Sequence, residues 1–157
     1  MDNYLLLKLI HIISATVLAG TGMGTAFFMF MANRSQDIPT IAVTARHVVI
    51  ADWIFTTPAV IIQLTTGLLL MNRLGYSYSS TWFLSVLFLF IFIGICWLPV
   101  VYIQYKLKDA AYQALKSGSL SDQFRRLMRV WTILGVPAFC AVLVIFWLMV
   151  YKPLPVI

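Results

Sequence analysis

Apolar residues in this chain do not alternate with polar ones; they run. Four charge-poor windows stand out: Leu9–Ala32, a stretch over about 41–72, another over about 74–105 whose core begins at Trp82, and Val130–Tyr151. Each is long enough for the ~20 residues that a helical bilayer crossing takes. Backbone groups in hydrocarbon must pair within the chain, and windows this long without period-two alternation pair as helices. The pattern predicts an all-α polytopic membrane protein. It is a single domain over 1–157, an antiparallel bundle of four transmembrane helices at about 4–32, 40–72, 80–108 and 122–151.

The breaks between and within the windows agree with this. Pro39 opens the second helix, and Pro58, Pro99 and Pro137 fall inside the second, third and fourth, where each removes a backbone donor and bends its helix. Thr56 or Thr57 is expected to satisfy a carbonyl that Pro58 frees. "LGYSYSST" suits a turn at the membrane surface, Ser121 with Asp122 suits the N-cap of a lead into helix four, and Pro153 stops that helix. The start, "MDNYLLLK", has neither a basic leader nor a small-residue cleavage site, so the first segment is expected to be retained.

Composition sharpens the picture. The chain is 62% hydrophobic and 10% charged, against roughly 45–50% and about 25% in soluble domains. Its basic residues are unevenly placed. Arg34, Arg46 and the six between Lys106 and Arg129 lie at one end of the bundle, whereas Lys8, Arg73 and Lys152 lie at the other. Positive charge marks the cytoplasmic side, which predicts both termini in the periplasm of a bacterial inner membrane. The surplus of basic residues then serves topology and contact with anionic lipid in the bilayer, with no nucleic acid implied. Cys96 and Cys140 sit within apolar runs and read as buried thiols.

Candidate chemistry is sparse. "LLLKLIHIISA" sets Lys8 and His11 into an apolar stretch, and steps of three and four from His11 reach Ser14, Ala15, Leu18, Gly22 and Thr25. Apart from Leu18 that stripe is small, so a trough lies beneath the imidazole. Two readings stay open. His11 is the axial metal ligand of a haem b that uses the trough, with Lys8 and Arg73 facing the propionates. Alternatively, His11 hydrogen-bonds a neighbouring helix, Gln63 and Thr66 being at its depth. The other histidine, His47, is displaced along the bundle by roughly 21 Å at ~1.5 Å per residue, too far to share one iron. Arg46, His47 and Asp52 form either a proton-entry or anion patch, or a simple pairing of Asp52 with Arg34, Arg46 or the second basic loop. Gly20 and Gly24 make a GxxxG pair suited to close helix approach, including homo-oligomer formation. Met23, Met29 and Met31 are soft donors for copper or, more simply, apolar filler. There is no glutamate, and no CxxC, HExxH or phosphate-loop pattern.

"YLLLKLIHIISA", "ARHVVIADWIFTTPAVIIQLTTGLLLM" and "CWLPVVYIQ" resemble a bacterial four-helix integral-membrane family of unknown function, over nearly the whole chain. A more distant resemblance links Lys8-x-x-His11, Arg46 and Thr57–Pro58 to the haem-dependent protoporphyrinogen oxidases called HemJ, and to the copper-resistance membrane proteins called CopD. The HemJ resemblance implies haem ligation by His11, and a redox role with a porphyrin or a membrane quinone as partner. Metal handling or small-solute transport, and a structural place in a larger membrane complex, are the alternative expectations.

Overall fold

The computed structural model describes residues 3–152. Four long helical rods run antiparallel, and there is no strand among the described residues. Helix α1 spans Asn3–Ser35. The second rod is composite: α2 (Ile38–Ala51), a π-helical turn (Asp52–Thr56) and α3 (Thr57–Leu74). Helices α4 (Thr81–Ser117) and α5 (Asp122–Tyr151) complete the bundle. All four rods are long and apolar enough to cross a membrane. The rod α4 runs to Ser117 rather than ending near residue 108, and its last turns bury Ala111 and Ala114.

Local chemistry sets the boundaries. Asp37 caps α2 by accepting the Thr40 N–H at 3.0 Å, with Pro39 in the first turn. Ser80 and Ser121 cap α4 and α5 by accepting from the N–H groups of Phe83 and Phe124. Gly75 and Gly118 end α3 and α4 in the left-handed region, at φ of 65° and 74°. Helix α5 ends on Lys152 in the left-handed region, and Pro153, expected to stop the helix, lies outside the described residues.

Between α2 and α3 the chain answers the missing N–H of Pro58 with a wider turn. The Thr57 N–H reaches back five residues to the Asp52 carbonyl, the spacing of a π-bulge. The sequence-based expectation for the threonines needs correction here. The Thr56 hydroxyl does not satisfy a carbonyl freed by the proline; it donates to the Asp52 carboxylate at 2.8 Å.

The packing differs between the two ends. At the basic end all four rods meet in one core that includes Met29, Ala45, Ile103, Phe124 and Trp131. Toward the terminal end the bundle divides into two pairs. There α3 packs on α1, whereas α4 packs on α5. Within the second pair the Trp82 indole N–H donates to the Leu148 carbonyl at 2.8 Å. Lys152 donates to the Tyr76 hydroxyl at 2.9 Å, tying the α3–α4 turn to the end of α5. The outward faces stay apolar, with Leu9, Ile13, Phe28, Ile61, Phe88 and Val150 all exposed, as contact with lipid requires.

Candidate functional site

The α1–α3 seam carries the first polar site. His11 Nδ1 lies 2.8 Å from Thr66 Oγ1, and His11 Nε2 lies 3.0 Å from Gln63 Nε2. Ser14, buried one turn along α1, donates to Gln63 Oε1 at 2.6 Å. One assignment of protons satisfies all of these groups. Thr66 gives its own proton to the Ile62 carbonyl at 2.6 Å, so its oxygen accepts from Nδ1–H. With Gln63 Oε1 taken by Ser14, the amide N–H donates to the Nε2 lone pair. In that assignment the imidazole carries its proton at Nδ1, and both ring nitrogens are engaged. A haem at His11 would have to take the place of one of these bonds.

The remaining candidates around His11 scatter. Ala15 is half-buried on α1. A Cβ at Gly22 would meet nothing within 4 Å, as would one at Gly20 or Gly24. The close approach expected of the GxxxG pair is therefore not made within the chain, because the nearest rod crosses α1 at a different face. Lys8 is exposed, its ammonium 5.9 Å from the Tyr4 ring centroid. Arg73 is exposed and lines a surface cavity of about 340 Å³ with Asn3, Leu7, Leu69 and Asn72. Leu7 and Leu69 place its inner wall one helical turn from His11 and Thr66.

The second polar site is Asp52. Its side chain is buried, Oδ1 accepts from Thr56, and Oδ2 has no hydrogen-bond partner. Gln104, itself buried on α4, and Trp97 approach the carboxylate without completing a bond to Oδ2. The indole N–H of Trp97 is likewise unpartnered. The antiparallel register of the first two rods, fixed where Ser14 meets Gln63, brings Asp52 level with Thr25 on α1. Asp52 thus lies well inside the bundle, about 16 Å of axial rise from Gln63 at ~1.5 Å per residue.

A family model for a predicted integral membrane protein matches residues 5–153. The chain belongs to that family, DUF2269. No curated protein and no solved structure matches it.

In this DUF2269 protein Arg46, His47 and Asp52 do not form one patch. Arg46 and His47 are exposed while Asp52 is buried, since six residues turn about 240° around a helix of ~3.6 residues per turn. Nor does Asp52 pair with a cation: among the described residues the ion pairs are Lys108–Asp109 and Arg125–Asp122. Among the described residues no three of His, Cys, Asp or Glu converge where they could hold a metal ion. The methionines diverge too, with Met29 in the core and Met23 and Met31 exposed. Two participants escape sequence reasoning: Gly67 and Gln104. A Cβ at Gly67 would lie 3.4 Å from His11 Cε1, so this glycine gives the imidazole its berth. Its signal is the run "QLTTG", polar and small within an apolar rod.

Proposed function

We propose that this integral membrane protein carries protons across the bilayer, with Asp52 as the internal exchange point. The observation that carries the reading is a buried carboxylate with one oxygen unpartnered and no cation beside it. A charged side chain placed deep in a membrane costs about 2.5–3.5 kcal/mol on insertion scales, and such residues mark ion and proton pathways. An acid in this setting alternates between a neutral, protonated form and a short-lived anion. Thr56 on Oδ1, with Gln104 and Trp97 close by, supplies donors for the anion. The π-helical turn that answers Pro58's missing N–H is consistent with the same reading, because such turns are frequent at working sites.

The test is proton flux into liposomes carrying a pH-sensitive dye, with potassium and an ionophore to clamp the potential. Wild-type protein should collapse an imposed gradient faster than empty liposomes, and Asp52→Asn should lower that rate at least tenfold. Equal rates for wild type and Asp52→Asn sink the proposal. An absorption spectrum of the same preparation separates it from the haem reading of His11. A Soret band lost in His11→Ala but kept in His47→Ala assigns the protein to haem-linked redox chemistry instead.

A further inference from the structure

The geometry points to His11, Gln63 and Ser14 as a second proton-binding site, one in which an exchange of hydrogen bonds keeps these side chains partnered in both charge states. This goes beyond the Asp52 reading and stands on different residues. With His11 neutral, Gln63 donates to Nε2 and accepts from Ser14. Adding a proton at Nε2 places two donors face to face, and a half-turn of the Gln63 amide relieves the clash. Oε1 then accepts from Nε2–H, and the amide N–H donates to Ser14 Oγ. Ser14 needs a new acceptor for its own proton, and one is already in place: the His11 carbonyl at 2.9 Å. Nδ1–H keeps its bond to Thr66 throughout. No buried donor or acceptor is stranded in either state, so the usual penalty of about 1–3 kcal/mol for an unmade bond is avoided.

A surface cavity approaches the site from the terminal end. The cavity bounded by Leu7, Leu69 and Asn72 opens at the terminal end and stops one turn short of the imidazole. The charged groups on the two packed helices are Lys8 and Arg34 on α1 and Arg73 on α3, all exposed, with Lys8 and Arg73 nearer that end and Arg34 at the opposite end of α1. From α2 and the π-helical turn the titratable groups are Arg46, His47 and Asp52, all at least ~16 Å farther along the bundle. From α5, which meets α1 near the basic end, they are Asp122, Arg125, Arg126 and Arg129. None of these is a hydrogen-bond partner of the ring, whose partners are the Gln63 amide and the Thr66 hydroxyl.

The sequence contains two histidines, so His47→Gln leaves His11 as the sole imidazole. In that background, ¹⁵N-histidine spectra in lipid nanodiscs over about pH 4 to 9 read tautomer and charge directly. The expected result is an Nδ1–H tautomer when neutral and reversible conversion to imidazolium in acid, with unchanged circular dichroism. Gln63→Glu, which offers only acceptors, should raise the midpoint by about one pH unit or more, and Gln63→Leu should lower it similarly. An Nε2–H tautomer, a ring that keeps one charge state throughout, or equal-direction shifts from the two variants would overturn the inference. The His47→Gln titration decides even where a Gln63 variant fails to fold. Because it reads His11 alone, its failure is distinct from a failure of Asp52→Asn to alter proton flux.

Discussion

At the scale of single residues, the α1–α3 seam is organised by what Gly67 lacks. A Cβ there would stand 3.4 Å from His11 Cε1, a contact that alanine can make with slight adjustment and a branched side chain cannot. Gly67→Leu should push the imidazole off Gln63 and Thr66, with overpacking costing about 1–3 kcal/mol. Unfolding in detergent would register the loss, and the ¹⁵N signal of His11 would lose its single tautomer. Wild-type stability in Gly67→Leu would show that the ring does not depend on this berth. Depth along the bundle was enough to point from His11 to Gln63 and Thr66. It could not point to Gly67, because a glycine in an apolar rod gives no sign of which neighbour approaches it. The GxxxG pair shows the converse: Gly20 and Gly24 have the pattern of close approach, yet each faces open space within the chain.

At the scale of elements, the second rod carries most of what the apolar windows could not foretell. Pro58 announces an interruption, but a kink, a broken hydrogen bond and a π-helical turn all answer a missing N–H. The π-helical turn taken here begins at Asp52, which is buried, while Arg46 and His47 on the preceding α-helix stay outside. The start of the same rod is simpler. The hydroxyl and the backbone N–H of Thr40 both donate to Asp37, and those bonds hold its carboxyl below the ordinary carboxylate range. A lowered value in the folded state means the cap's contribution is complete above the ordinary Asp value. It fades as the pH falls through the lowered one. The protection factor of the Thr40 amide, its exchange taken relative to the unstructured rate at the same pH, should therefore fall in acid, and Asp37→Asn should remove that pH dependence while keeping a cap. An acid response that survives in Asp37→Asn would assign the titration to another group.

At the scale of the whole molecule, the windows of hydrophobicity foretold four rods but not how unequally they share their contacts. Runs of apolar residues look alike whether they face lipid or protein, since lipid tails are as apolar as leucine. The division therefore has to be read from packing. Phe124 is fully buried among Met29, Ile41 and Leu107, so its ring touches the one core to which all four rods contribute. Leu148 is buried at the other end, where α5 has α4 as its partner and accepts the Trp82 indole N–H. Truncating each removes apolar contacts, yet the consequences should differ in reach. Phe124→Ala should cost about 3–5 kcal/mol and accelerate amide exchange in every rod, because it loosens the junction that holds the two pairs together. Leu148→Ala should cost about 2–3 kcal/mol and accelerate exchange in the terminal turns of α4 and α5, leaving the His11 seam protected. Hydrogen exchange in detergent or nanodiscs resolves the two cases. Loss of protection at α1 and α3 in Leu148→Ala would mean that the pairs are coupled along their whole length, and that the terminal half moves as one body.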